Sequence, residues 1–203
     1  FKPRRWLTFN SEVRLDPNDA LLRESQTSAI LQPGRDWSFA VTHRYTRDDA
    51  WVRAFLERAE IGHVATGWGD QPFFTPTTFW YDAAGHQIAF HSNVVGRGRA
   101  NVEHHERVCF EASTFGRFLP SNVAVEFTVQ YASVVVFGRG RVVTEPDEQR
   151  RLLTGLIQKY FPRLQAGREY QPITDPELKK TSVYAIAIDS WSGKENWPER
   201  AVQ

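Results

Sequence analysis

Between Phe90 and Asn101 the chain runs through His91, Ser92, Asn93, two valines, Gly96, Arg97, Gly98, Arg99 and Ala100. A strand leaves into a glycine turn here and a short helix follows. Free backbone N–H groups, a hydroxyl, an imidazole and two guanidinium groups therefore share one junction, a donor set that suits a phosphate ester. The segment is not a P-loop, because the Gly-Lys-Ser/Thr ending is absent, nor is it a dinucleotide fingerprint. On residue chemistry alone a solvated turn with surface arginines is the better reading, since exposed arginines are commonplace. His91 reads either as an imidazole satisfied by the adjoining loop or as a donor and proton source, for which an ordinary pKa near 6.5 is suited.

Other candidate groups carry less. His104 and His105 are adjacent, so they do not share a helix face, and no third ligand stands at metal spacing; both read as surface residues. Cys109 lies in the apolar run Val108, Cys109, Phe110 and reads as a buried, inert thiol. With one cysteine no intrachain disulfide forms, which points to a reducing, cytoplasmic setting. Net charge is +1, so no overall field draws the chain to nucleic acid or acidic lipid, and a small ligand is the expected partner. No uninterrupted apolar stretch, Val134 to Phe137 among them, comes near the roughly 20 residues of a membrane helix. The chain lacks methionine altogether, so its start is expected to be trimmed or processed.

The elements that would hold these groups are mostly strands. Thr46 with Asp49 resembles a capping box, and Trp51, Ala54, Phe55 and Arg58 fall at helical spacing up to Glu60. Ile61–Thr66, Phe73–Tyr81, Gln87–Ser92, Arg107–Ser113 and Phe127–Val143 are rich in β-branched and aromatic residues and divided by turn signals, as strands of an antiparallel sheet are. Gly138 and Gly140 interrupt the longest run, where a bulge or a barrel corner is expected. Pro146, Asp147 and Glu148 open a helix with the stripe Leu152, Leu153, Leu156, Ile157, Tyr160, closed by Pro162. A short helix near Pro176 and a strand from Ser182 to Asp189 follow. Residues 1–45 show no sustained period and read as an arm, docked through Phe1, Trp6, Phe9, Trp37 and Phe39. Residues 46–203 form the single domain expected of this length.

Several separated strings carry a resemblance in the same order. The stretch Ile61–Asn101, with Thr75-Pro76-Thr77-Thr78-Phe79, Phe90-His91-Ser92 and Gly96-Arg97, is similar to the flavin-binding half of the pyridoxamine 5'-phosphate oxidase-like split barrels. Val129-Gln130-Tyr131-Ala132-Ser133-Val134 with Phe137-Gly138, and Ile188 through Trp197, resemble the 5-nitroimidazole-resistance branch. The resemblance implies a mainly β, α+β fold: a split β-barrel of antiparallel Greek-key type with flanking helices, binding FMN in a cleft between the subunits of a homodimer. By that resemblance Thr77 and Thr78 lie along the isoalloxazine, and His91, Ser92 and Arg97 approach the ribityl phosphate. Ser133 faces the ring, while Trp191, Lys194 and Trp197 reach the site near the dimer interface. With Thr75, Asn93, Gly96 and Arg99 these make the candidate cofactor-binding set, and His91 is also the candidate catalytic residue. Many members carry a lysine directly after the residue matching Arg97. Here that position is Gly98, and Arg99, one residue further, faces about 100 degrees away on a helical turn.

Two functions follow as expectations. One is an FMN-dependent reductase of small nitroaromatic or related electron-poor compounds, in which the flavin carries the redox chemistry. The other is a non-catalytic flavin or small-molecule binding protein used in sequestration or sensing, which the missing lysine favours. Neither reading involves a metal.

Overall fold

The computed structural model describes residues 7–15, 22–31, 39–46, 48–122, 124 and 127–197. In chain order the elements are β1 (Leu7–Leu15), β2 (Leu22–Leu31), β3 (Phe39–Thr46), α1 (Asp49–Arg58), β4 (Gly62–Trp68), β5 (Gln71–Thr77), β6 (Trp80–Asp82) and β7 (Gln87–Asn93). There follow α2 (Arg97–His104), β8 (Arg107–Leu119), β9 (Thr128–Val143), α3 (Pro146–Tyr160), α4 (Asp175–Leu178) and β10 (Thr181–Asn196). Strand neighbours run β1-β2-β3-β10-β9-β8-β4-β5, with β7 paired to β10 and to β6, so the sheet is not closed. The class is the expected one, a mostly antiparallel sheet with a few helices.

The chain divides into two compact units. One gathers Phe1–Val52, Ser113–Val134 and Ser192–Gln203; the other gathers Arg53–Ala112 and Val135–Trp191. In the first, β1 pairs β2 from Leu7↔Leu31 onward, β2 pairs β3, and β10 pairs β3 through Gly193↔Thr46. These strands occupy most of the stretch expected to be an irregular arm. The reason is visible in β1, where seven of nine residues are exposed, so neither face is apolar enough to write a period of two into the sequence. Of the docking aromatics, Phe9 is exposed, Phe39 begins β3, and Phe1, Trp6 and Trp37 lie outside the described residues.

In the second unit the alternation is plain. On β4 Gly62, Val64 and Thr66 are buried, and on β8 Val108, Phe110 and Ala112 are. Helix α3 covers one face of β7 and β10: Leu152 packs into a cluster with Ala89, Val143, Val183 and Ala185, and Trp80 and Leu153 lean against it. Gly155 lets the helix seat on Trp80, because an added Cβ would fall 2.2 Å from the indole ring.

Two local expectations are corrected. The cap of α1 is Asp48 rather than Thr46 with Asp49: its carboxylate accepts the N–H groups of Ala50 at 2.9 Å and Trp51 at 3.1 Å. The run Phe73–Tyr81 is two strands. At the break the Tyr160 hydroxyl accepts the Phe79 N–H at 3.0 Å and donates to the Glu60 carbonyl, so a side chain from a remote helix replaces ladder bonds. In β9 the strand continues through Gly138 and Gly140, but the alternation of buried positions that runs from Gln130 to Gly140 slips by one residue before Val143, at the irregularity expected there. Gly138 marks a close backbone approach, since a Cβ there would lie 2.2 Å from the Ala187 carbonyl oxygen.

Candidate functional site

The second unit holds a cavity of about 240 Å³ between β4, β5, β7 and the start of α2. Strand alternation decides its walls. Phe90 and Ser92 share a face of β7, and their register partners Tyr184 and Ser182 share that face of β10. Tyr184 stacks on Phe90 with ring centroids 4.6 Å apart, and its hydroxyl meets Ser92 Oγ at 3.1 Å. From β4 and β5 come Val64, Thr66, Phe73 and Thr75. Behind Thr66, Asn101 donates to the Thr66 hydroxyl at 2.9 Å, while its own buried Oδ1 has no partner among the described residues.

The floor is the turn into α2. Gly96 occupies the N-cap position with φ 158° and ψ 162°, a region entered almost only by glycine, and no side chain caps the helix. The first N–H groups of α2 are therefore left to whatever lies in front of them. Nothing stands within 4 Å of where a Gly96 Cβ would be, so the backbone is open to approach. Beside it the Arg97 guanidinium lies 5.9 Å over the Phe73 ring. Among the described residues Arg97 makes no hydrogen bond or ion pair, which leaves its charge uncompensated. Arg99 also reaches the wall, but Nε donates to Glu103 at 2.7 Å and NH1 to Ser182 Oγ at 3.0 Å. Its charge is largely spent within its own helix turn.

Of the residues singled out in the sequence, Thr75, Ser92, Asn93, Gly96, Arg97 and Arg99 come together on this cavity. Thr77, Thr78, His91 and Trp191 do not line it. Thr77 Oγ1 donates to the Thr78 carbonyl at 3.0 Å, and Trp191 is buried against Tyr81 and His86 with the Arg53 guanidinium 5.1 Å over its ring. His91 falls on the opposite face of β7 from Ser92, and burial of its ring pushes its pKa below the ordinary value. Ser133 and Lys194 belong to the first unit, where Lys194 Nζ sits 5.2 Å over Tyr131. Phe73, Thr66 and Tyr184 were missed. Tyr184 carried a readable signal, a hydroxyl in an otherwise apolar strand.

His104 and His105 are exposed, His104 stacking on Trp68 at 4.4 Å. Cys109 is half-buried, and burial together with the Glu111 carboxylate pushes its thiol pKa up, away from nucleophile behaviour. No helix among the described residues is long and apolar enough to cross a membrane.

A family model described as pyridoxamine 5'-phosphate oxidase matches residues 48–195. The flavocytochrome Anf3 from Azotobacter vinelandii superposes with a TM-score of 0.65 at 23% identity, over 76% of this chain and 70% of that one. An FAD and heme binding protein from Mycobacterium smegmatis does so with 0.65 at 22%, over 77% and 76%. A candidate 5-nitroimidazole antibiotic resistance protein from Bacteroides thetaiotaomicron gives 0.63 at 16%, over 75% and 86%. No curated protein matches. These likenesses establish the fold, a split barrel whose sheet stays open.

Proposed function

Since the chain belongs to the pyridoxamine 5'-phosphate oxidase family, we propose that it is a flavin-dependent reductase of small nitroaromatic or related electron-poor compounds. FMN is the smallest flavin that carries the phosphate this site would take. The observation that supports the reading best is the uncompensated Arg97 guanidinium beside the open N-terminus of α2, on the same cavity as the Ser92 hydroxyl. A doubly charged phosphate ester is the ligand chemistry such a donor set serves.

The residues present fit that group. Arg97 and the first N–H groups of α2 would hold the phosphate, and Ser92, Thr75 and Tyr184 offer hydroxyls to the arm that follows it. Phe73 and Phe90 give that arm apolar walls, and Arg99 adds a cation already shared with Glu103. When bound, the flavin supplies hydride and electron transfer; the protein's part is to orient the ring and to keep water off it. His91 stands on the strand face opposite Ser92, away from the cavity, so proton delivery is not assigned to it. At about 240 Å³ the cavity falls below the roughly 300–1,000 Å³ of pockets that enclose a whole small molecule. A second copy of the chain is the proposed cover for the rest of the ligand, giving a homodimer with the cleft at its interface.

The test is the visible spectrum of the purified protein with and without added FMN, followed by reductant-driven bleaching of a nitroimidazole. Flavin bands together with bleaching support the reading. A flavoprotein that does not bleach leaves the alternative, a non-catalytic flavin or small-molecule binder, which the presence of Gly98 in place of a second cation favours. A protein that takes up no flavin at all overturns the flavin reading and leaves only the binder of another small molecule.

A further inference from the structure

One buried side-chain atom of the second unit has no hydrogen-bond partner among the described residues, and it stands directly behind the cavity wall. It is Oδ1 of Asn101, a residue of α2 with no solvent exposure. Asn101 follows Arg97 by four positions, so the two share a face of the helix, one turn or about 5.4 Å apart. Its Nδ2 donates to Thr66 Oγ1 at 2.9 Å, and Thr66 is buried on the cavity side of β4 together with Val64. In register Thr66 stands opposite Phe73, the ring over which the Arg97 guanidinium lies at 5.9 Å.

Counting donors and acceptors decides what Thr66 can do. A threonine hydroxyl has one proton and two lone pairs, whereas an amide side chain has two protons on nitrogen and two lone pairs on oxygen. With the Nδ2 proton directed at Oγ1, the hydroxyl proton points elsewhere, and no acceptor among the described residues takes it. Turning the amide over would give Oδ1 the hydroxyl proton but leave Nδ2 unanswered, so the pair is one partner short in either setting. Buried polar groups are nearly always paired. The Ser92 and Tyr184 hydroxyls on the same cavity satisfy one another at 3.1 Å, whereas the Thr66 proton is unspent. Around it lie Val64, Phe73 and Phe90, apolar groups that disfavour a second charge.

We propose that Asn101 is a positioning residue: it fixes the Thr66 hydroxyl as a hydrogen-bond donor into the cavity, for an uncharged hydroxyl of the ligand's ribityl arm about one helix turn beyond the phosphate. The inference rests on the flavin reading above and adds to it a residue that reads the arm rather than the phosphate. Asn101 touches no ligand atom itself. Its amide holds the hydroxyl in one direction, so the donor is in place before the ligand arrives.

Fluorescence titrations of the purified chain with FMN, riboflavin and lumiflavin test this. The three share the ring, the first two share the ribityl arm, and FMN alone carries the phosphate. Thr66→Val is expected to weaken FMN and riboflavin alike, by about 3- to 10-fold, and to leave lumiflavin unchanged. Thr66→Ser is expected to restore wild-type affinity. Asn101→Leu should cost as much as Thr66→Val, and nothing further where Thr66 is already valine, because a positioning residue acts through its partner. That double variant replaces both polar groups by apolar ones of similar shape and keeps the fold, which a thermal melt checks. A loss confined to FMN would assign Thr66 to the phosphate, and a loss for lumiflavin would assign it to the ring. An Asn101→Leu effect that persists in the valine background would make Asn101 structural alone. Each of these overturns the proposal while the flavin reading stands, whereas a wild type that binds none of the three sinks the flavin reading and this inference with it.

Discussion

Among the described residues no carboxylate pairs with Arg97, an exposed guanidinium on the cavity wall, so it is open to an arriving anion. A hydrogen-bonded charge contributes about 1.5–3 kcal/mol, so Arg97→Ala should weaken FMN binding by roughly 10- to 100-fold. Riboflavin, which lacks the phosphate, should bind wild type and variant alike, and that contrast separates loss of a phosphate contact from damage to the cavity. Lys159 makes the opposite case. Burial holds its pKa at about 8, with its Nζ 3.6 Å from the centre of the Phe79 ring and donating to the Leu56 carbonyl at 3.1 Å. Between pH 8 and the ordinary lysine value of 10.5 the unfolded chain binds this proton and the folded chain does not, so stability should rise with pH across that window. Below pH 8 both states are protonated and the penalty is constant. Thermal melts of wild type and Lys159→Met over this range should show the rise only in the wild type. A parallel rise in both would assign the slope to other groups.

At the scale of elements, the helices are held by single contacts whose loss can be measured. Asp48→Ala removes the acceptor for two N–H groups of α1, and the cost should be about 1 kcal/mol. For a chain of this size that is a fall in Tm of about 2–4 °C. Gly155 offers a sharper test, because helix propensity and packing pull in opposite directions. Alanine would gain about 1 kcal/mol within α3, yet its methyl would enter the Trp80 ring, and overpacking of that kind costs about 1–3 kcal/mol. Gly155→Ala is therefore expected to lower the Tm, and a raised Tm would mean that α3 seats on Trp80 more loosely than the structure indicates. Elements with one apolar face were legible from sequence. The stripe of α3, the alternation of β4 and β8, and the span of β9 all wrote burial into residue order. What stayed illegible lacked such a face or depended on a distant partner. β1 is exposed on both sides, β8 runs on through mostly exposed residues from Ser113 to Phe118, and the break after Thr77 is made by the hydroxyl of Tyr160. The candidate site followed the same rule. Its loop, Ser92 to Arg99, announced itself by composition, but the wall residues Phe73, Thr66 and Tyr184 become neighbours of that loop only through strand register.

For the whole molecule, the question is what covers the apolar side chains that the second unit leaves outside. Phe74 on β5 is 61% exposed and Phe137 on β9 is 55% exposed, while Trp68 is covered on one face by His104. A single exposed ring is ordinary, but one on a strand that walls a ligand cavity is the place to test for a covering partner. Phe74 stands on the opposite face of β5 from Phe73, which lines the cavity, so a partner seated on Phe74 would grip the strand that forms one wall of the ligand site. Two-fold association of identical chains is the commonest way to bury such a surface. Sedimentation of the purified chain should therefore give twice its mass at micromolar concentration. Phe74→Glu should return it to a monomer and weaken flavin binding, because the cover over the open side of the cavity would be lost together with the interface. Phe161→Glu, at an equally exposed ring just beyond α3, should do neither. If Phe74→Glu separates the copies and leaves flavin affinity as it was, the cavity is closed by the chain's own residues and the cleft does not lie between subunits. If the wild type sediments as a monomer while binding flavin, the ligand site belongs to a single chain.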